Sequence, residues 1–333
     1  IRLSLVGSEM CIRDSTYRVL TGPTAAGKTG LLLEAAPAGG LLVISADSRQ
    51  VYRYMDVGTG KSSASEQAVL PHRVIDVVDP GDEFSAYEFV RHAAQALNEA
   101  RDSGVAPWVC GGTGLYIRAL VERLAFGAAP RPRLRDAIAS ALGSVEPREL
   151  AARLQLELAE PDNPVRVMRA AENAAASEQA RQHIYRAVQL DTAEMDADAS
   201  EARGHRLPGM VLDELARWDC AGVYLLNPGT AELDQRIRRR VLAMFSNGLL
   251  TEVKRLREMG LGKADVVLNG IAYREAGAVI DGEMTSEEAV ERAAIRTRQY
   301  AKRQRTYARG RGWQASEPAE ISRAVAASLG QVG

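Results

Sequence analysis

T-Y-R-V-L-T-G-P-T-A-A-G-K-T, from Thr16 to Thr29, is the stretch on which the rest of the chain is read. Tyr17 to Thr21 is rich in β-branched and aromatic residues and predicts a short strand. Gly22, Pro23, Thr24, Ala25, Ala26, Gly27, Lys28 and Thr29 match G-x-x-x-x-G-K-S/T, the phosphate-binding loop, and the leucine-rich run beyond it favours a helix. Gly22 and Gly27 permit backbone angles and a close approach that a β-carbon would block. The N–H groups of the loop and of the helix start then face an anion, and Lys28 adds a mobile positive charge. Thr29 is placed to offer its hydroxyl to magnesium. Which phosphate the loop holds stays open at this point.

Downstream, Gly39-Gly40 ends the first helix and Leu41 to Ser45 predicts a fully buried strand, closed by Ala46-Asp47-Ser48-Arg49-Gln50. A carboxylate just past a parallel strand sits where open α/β sheets bind ligands. Asp47 also suits a helix cap or a magnesium ligand. His72 to Pro80 predicts a third strand, Phe84 to Gly104 a helix, and Trp108 to Cys110 a fourth strand opening onto Gly111-Gly112-Thr113-Gly114. Strands alternating with helices at this rhythm argue for a three-layered parallel core.

The rhythm changes between about 124 and 218, where strand signals vanish and Ala, Arg and Glu dominate, with prolines (Pro130, Pro132, Pro147, Pro161, Pro164) at the junctions. A helical insertion is expected there, with one helix and an exposed loop over 171–209. Val223 to Leu226 restores a strand, and the remainder reads as helical. Thr285-Ser286-Glu287-Glu288 is a capping-box start for a long helix carrying Arg296, Arg298, Lys302, Arg303, Arg305, Arg309 and Arg311 with no acid among them. On a 3.6-residue period Arg298, Lys302, Arg305 and Arg309 share one face, and Tyr300, Gln304 and Tyr307 a neighbouring one. A basic face flanked by aromatics suits a phosphate backbone with stacking bases. A solvated charged face is the plainer reading, made less comfortable by uncompensated self-repulsion.

Size and composition set the limits. The 333 residues suffice for one large or two smaller domains, and 46% hydrophobic residues exclude a disordered chain. A net charge of −1 leaves nucleic-acid contact to local patches. Cys11, Cys110 and Cys220 form no C-x-x-C pair, so neither zinc nor a disulfide framework is indicated and a reducing cytoplasm is expected. No apolar run approaches the ~20 residues needed to span a bilayer. Residues 1–15 (I-R-L-S-L-V-G-S-E-M-C-I-R-D-S) resemble translated library-adapter sequence and are expected to stand outside the fold. With no heptads or large apolar stripe, a monomer is expected.

Six motifs, in order, resemble those of bacterial tRNA dimethylallyltransferases: G-P-T-A-A-G-K-T, S-A-D-S-R-Q-V-Y-R-Y-M-D-V-G-T-G-K, P-H-R-V-I-D-V-V-D-P, G-G-T-G-L-Y, G-I-A-Y-R-E and R-Q-Y-A-K-R-Q. The resemblance is close over about 17–124 and 225–309 and patchy in the insertion. It implies an α/β fold: a P-loop NTPase-like parallel sheet core flanked by helices (16–123 and 219–316), an all-helical tRNA-binding insertion (124–218) and a C-terminal tail (317–333). It also implies transfer of a dimethylallyl group from its diphosphate to N6 of adenosine 37 in tRNAs reading codons that begin with U. In that chemistry the loop at Gly22 to Thr29 holds the departing diphosphate with Lys28, Arg236 and Mg2+, the metal on Thr29. Asp47 accepts the amine proton, and Thr113 bonds the amine or the diphosphate. The tRNA anticodon stem-loop is held by Asp47, Ser48, Arg49, Gln50 and Thr113 at the base, by Arg135, Arg166 and Arg169 from the insertion, and by Asn269, Arg298, Gln299, Lys302, Arg303 and Gln304 opposite.

Four residues depart from the family pattern. Tyr54, Arg123 and Ala272 stand where the family has Gly, and Tyr307 where it has Trp. The first three would each cost about 1 kcal/mol if their φ were positive. Three other functions compete: an adenylate dimethylallyltransferase, which needs neither the insertion nor the basic helix; a P-loop small-molecule kinase, for which no lid is found; and a non-catalytic RNA-binding protein, against which Lys28, Thr29, Asp47 and Thr113 argue.

Overall fold

The computed structural model describes residues 15–124, 126, 131–204, 213–263 and 265–330. Most of the expected N-terminal extension (1–14), the junction residue Pro130 and the last three residues lie outside that set. The chain divides into two compact units, 1–124 with 213–333, and 125–212.

Five strands build the first unit: β1 (Ser15–Thr21), β2 (Leu41–Ala46), β3 (His72–Arg73), β4 (Ala106–Gly111) and β5 (Trp218–Leu225). They pair in parallel in the order β3-β2-β4-β1-β5. β2 and β4 are buried at every position, as strands covered on both faces must be, and their apolar runs are continuous rather than alternating. The register brings the strand ends level: Thr21 pairs with Gly111 and with Leu225, and Ala46 with Gly111. The turns that begin at Gly22, Asp47 and Gly112 therefore emerge side by side at the C-terminal edge of the sheet.

Helices cover the sheet: α1 (Lys28–Ala35), α2 (Ala64–Val69), α3 (Ala86–Asp102) and α4 (Gly114–Val121) before the second unit, and α10 (Thr230–Ser246), α11 (Leu249–Glu258), α12 (Tyr273–Ile280), α13 (Ser286–Gly310) and α14 (Pro318–Leu329) after it. Thr285 and Glu288 cap α13 reciprocally, as their spacing predicts. No helix among the described residues is long and apolar enough to cross a membrane.

Three local expectations change. Ser15, set outside the fold, begins β1 and pairs with Trp218. The third strand is only His72–Arg73, because Val74 (φ 60°) and Asp76 (φ 54°) turn the chain out of the extended region. The segment 317–333, set apart as a tail, carries α14, which closes one face of the sheet. Its Ile321 and Val325 join Leu20, Leu32, Val43 and Trp108 in one core cluster, and Trp108 Nε1 donates to Ser328 Oγ at 3.1 Å.

Tyr54, Arg123 and Ala272 have φ of 66°, 49° and 71°. Each position that departs from glycine thus adopts the backbone region where glycine is favoured. Arg123 Nη2 bonds Trp218 O at 2.7 Å and Asp219 Oδ1 at 3.1 Å, while Tyr54 lies under Arg255 at 4.6 Å. Ala272 has only a methyl group to offset its strain.

The second unit is helical throughout its described residues' ordered elements: α5 (Pro132–Leu142), α6 (Pro147–Arg153), α7 (Pro164–Ala174), α8 (Glu178–Ala187) and α9 (Thr192–Gly204). Three of them start on proline, whose missing N–H costs nothing in a first turn. The stretch from 171 holds more helix than the single one expected. Two fully buried carboxylates organise the start of α5. Glu172 accepts from Arg131 N at 3.2 Å and Arg135 Nε at 2.5 Å, and pairs with Arg169 at 2.8 Å. Asp198 accepts from Leu134 N at 3.0 Å and Tyr185 OH at 2.6 Å. Buried charge has to be paired in this way, since removing one partner strands the other in a poor solvent.

Candidate active site

The site begins with the loop that β1 feeds into α1. Lys28 folds its ammonium back onto the loop, donating to Gly22 O and Pro23 O at 3.0 Å each. Burial pulls its pKa below the ordinary lysine value, opposed by the nearby Cys110 and Asp47. The first N–H groups of α1 have no carbonyl one turn back and so remain directed at the loop's hollow. Thr29 lies in that first turn, beside Cys110, whose thiol burial pushes up to about 11.

Two arginines of α10 reach neighbouring loops, Arg236 the phosphate loop and Arg240 the loop at Thr59. Arg236 donates to Ala26 O at 2.6 Å and pairs with Glu232 at 2.6 Å. One turn on, Arg240 donates to Thr59 O at 2.7 Å; burial lowers its pKa, while Asp47 holds it up. Arg240 is the i+4 neighbour of Arg236 in the R-I-R-R-R run, so the two guanidinium groups leave the helix on one side. The loop that receives it is held by Glu252 of α11. That carboxylate accepts the N–H groups of Asp56, Val57 and Gly58 at 2.9, 2.7 and 3.0 Å, and Tyr273 OH at 2.6 Å. No local signal marked Glu252, since its partners lie far away in sequence. Beyond Arg240 opens a cavity of about 870 Å³ lined by Lys61, Asp76, Arg240, Ala243 and Met244 among others.

Asp47 and Thr113 come from neighbouring strands, β2 and β4. Asp47 Oδ1 accepts Arg49 N–H at 2.8 Å, the turn geometry open to an aspartate just past a strand. Thr113 donates its own N–H to Ala46 O at 3.0 Å, and its hydroxyl accepts Ser48 N–H at 3.0 Å. Tyr300 of α13 closes the other side; burial and then the charge of Asp47 push its phenol up to about 12. Asp47 is thus electrostatically linked to Lys28, Arg240 and Tyr300 at once.

Residues expected at an RNA interface divide. Gln50 Oε1 accepts from Ser45 Oγ at 3.0 Å, and Arg49 Nη1 donates to Val266 O at 3.1 Å, joining the Asp47 turn to the loop that bears exposed Asn269. Gln299, Lys302 and Arg303 are exposed on α13, with Arg303 5.7 Å from the Tyr300 ring. The charge of α13 is compensated from other elements and from its own start: Arg296 pairs with Glu275 at 2.6 Å, Arg298 with Glu291 at 3.4 Å and Arg311 with Glu122 at 3.4 Å. On the neighbouring face Gln304 bonds Thr24 N–H of the phosphate loop and Gly112 O, and Tyr307 packs on Gly114. In the second unit Arg135 and Arg169 are turned onto Glu172, and Arg166 pairs with Glu160 at 2.8 Å. Arg166 is the most exposed of the three, at 59% of its side chain.

A family model described as IPP transferase matches residues 50–311. A tRNA dimethylallyltransferase of Desulforudis audaxviator (strain MP104C) is 39% identical over 298 residues, covering 87% of this chain and 88% of that protein. One from Anaeromyxobacter sp. (strain K) is 36% identical over 296 residues, covering 86% and 87%. Among solved structures, the full-length tRNA isopentenylpyrophosphate transferase of Bacillus halodurans superposes with a TM-score of 0.62 at 28% identity, covering 96% of this chain and 98% of that one. Sequence and backbone lead to one assignment: the chain belongs to the IPP transferase family.

Proposed function

We propose that this chain is a tRNA dimethylallyltransferase that moves the five-carbon group of dimethylallyl diphosphate to N6 of adenosine 37 in tRNAs reading codons that begin with U. The observation that carries the reading is a carboxylate just past β2 whose charge reaches both Lys28 of the phosphate loop and Arg240. Asp47 Oδ1 accepts Arg49 N–H at 2.8 Å, which orients the side chain and leaves its second oxygen for a proton.

The exocyclic amine is a weak nucleophile because its lone pair is delocalised into the purine. As N6 bonds to C1 of the allyl group, the C1–O bond breaks, the electron pair leaves with diphosphate, and Asp47 takes the amine proton. The departing charge meets N–H donors at the start of α1, the Lys28 ammonium and the guanidinium groups of Arg236 and Arg240, all fixed before reaction. The cavity beyond Arg240 sets Ala243 and Met244 beside that guanidinium, which suits a short prenyl chain, while its Lys61 is already paired with Asp56 and Asp76. Adenosine 37 lies in a single-stranded loop, so turning it out of its stack costs little.

Magnesium fits this site as a substrate-borne ion. Among the described residues no group of three or more His, Cys, Asp or Glu side chains could hold a metal. Thr29 would supply one hard oxygen to the ion, and diphosphate and water would supply the rest, the usual pattern for magnesium. When bound it offsets charge on the diphosphate.

Radiolabelled dimethylallyl diphosphate, offered with magnesium to an A36-A37-A38 anticodon stem-loop or to AMP, tests the reading. Label in the stem-loop is expected. Label in AMP alone, or phosphate transfer from ATP without prenyl transfer, would overturn it.

A further inference from the structure

The two halves of the proposed chemistry sit on loops from different strands. The diphosphate cradle follows β1 and the turn with Thr113 follows β4. Ladder pairing between these strands runs out at Thr21 and Gly111. One side chain from the far C-terminal part of the chain bridges the gap beyond. Gln304 Oε1 accepts Thr24 N–H at 2.8 Å, and Gln304 Nε2 donates to Gly112 O at 2.9 Å. The two bonds define the amide's orientation, because a flipped amide would set N–H against N–H and oxygen against oxygen.

The surroundings show that this contact is built in. Tyr300, Gln304 and Tyr307 follow one another at helical spacing and line a cavity of about 190 Å³ with Gly22, Gly112 and Thr113. A β-carbon on Gly112 would strike Gln304 Nε2, and one on Gly114 would strike the Tyr307 ring. The glycines of G-G-T-G are therefore matched to the side chains of α13.

We propose that Gln304 is a positioning residue, whose amide clasps the phosphate loop to the Thr113 turn and so sets the spacing between the diphosphate cradle and the acceptor amine. This rests on the prenyl-transfer reading and deepens it. Bond formation needs the reacting atoms held within about 3–3.5 Å, and a misplacement of about 1 Å costs ~10²-fold. A clasp that fixes two loops acts on the rate of that step. A side chain that simply touched RNA would act on RNA affinity.

The test uses the full chain with Gln304→Met, which keeps length and packing but loses both bonds, and Gln304→Glu, which keeps the acceptor for Thr24 N–H and regains a donor for Gly112 O only when protonated. Single-turnover transfer to the anticodon stem-loop, stem-loop affinity, pyrophosphate calorimetry and thermal unfolding are compared with wild type. Gln304→Met is expected to unfold at a modestly lower temperature but to be fully folded at the assay temperature, to bind the stem-loop normally and to transfer ~10²-fold more slowly. The rate of Gln304→Glu relative to wild type is expected to rise as pH falls, a signature that packing alone would not produce. A wild-type rate in Gln304→Met, a loss of stem-loop affinity in step with the rate, or a flat pH ratio for Gln304→Glu each overturns the clasp. If the wild-type chain transfers nothing, the prenyl-transfer reading fails instead. Pyrophosphate calorimetry then decides the clasp alone: weaker binding by Gln304→Met sustains it and equal binding ends it.

Discussion

Ser48 donates its backbone N–H to the hydroxyl of Thr113 at 3.0 Å, so the turn after one strand is steered by the turn after its neighbour. Asp47, one residue before Ser48, is thereby held from both sides, through that bond and through Arg49 N–H on its Oδ1. Thr113→Val keeps the shape and removes the acceptor. A lost hydrogen bond of about 1 kcal/mol corresponds to roughly a fivefold fall in single-turnover rate. Thr113→Ser should restore it, and failure of Ser to rescue would show that the hydroxyl is not the steering group.

Asp47→Asn keeps the carbonyl that receives Arg49 N–H and removes the proton acceptor. The chemical step should slow by ~10²–10⁴ while stem-loop affinity stays put. Rapid-quench kinetics alongside anisotropy titrations separate the two quantities, and an equal drop in both would contradict a base role.

Lys28 has a pKa pulled below the ordinary lysine value by burial. Between that lowered value and the ordinary one, the free protein has lost the proton that an unfolded lysine retains, so this residue's contribution to stability rises with pH across the window. Bound pyrophosphate needs the charged form. Its affinity should therefore fall as pH climbs through the window, with proton uptake on binding. Calorimetry in buffers of different ionisation enthalpy reads that uptake directly, and Lys28→Met should abolish both effects.

Lys302 is exposed on α13, whereas Arg305 is spent on Asn227 at 2.8 Å and Thr230 at 3.1 Å. Lys302→Ala should weaken stem-loop binding and reduce the salt slope by about one phosphate contact. Affinities measured across a salt series check this; an unaltered slope removes Lys302 from the interface.

Ala272 is 2% exposed with φ 71° and ψ −39°, a conformation with neither a bond nor a ring contact to repay it through the side chain. Strain of that kind costs about 1–3 kcal/mol. Ala272→Gly should raise stability by about 1 kcal/mol after the lost burial of one methyl is deducted. Chemical denaturation gives the sign, and a destabilised variant would show that the methyl's packing outweighs the strain.

The parts of the site that were legible in advance are those whose chemistry is local. Gly22 to Thr29 is recognisable because a phosphate cradle is a short loop with a fixed spacing of residue types, and Asp47 because a strand end places a carboxylate at a sheet edge. The strained positions were marked too, since Tyr54, Arg123 and Ala272 stand where glycine is usual and their backbone is what glycine tolerates best. Helical period likewise put Tyr300, Gln304 and Tyr307 on one face. It gave no means of saying whether RNA or protein lies against that face.

What the order of residues determined by itself was the run of sheet strands, the G-x-x-x-x-G-K-T loop between the first strand and its helix, and a carboxylate just past the second strand, because turn chemistry and periodicity act over a few neighbours. Only the tertiary structure decided how charges were partnered: Glu252 on three N–H groups about 195 residues upstream, Arg135 and Arg169 on Glu172, and Gln304 on Thr24 and Gly112. A charged or amide side chain is satisfied by whatever the fold brings within about 3 Å, and that neighbour is chosen by chain topology rather than by nearby residues.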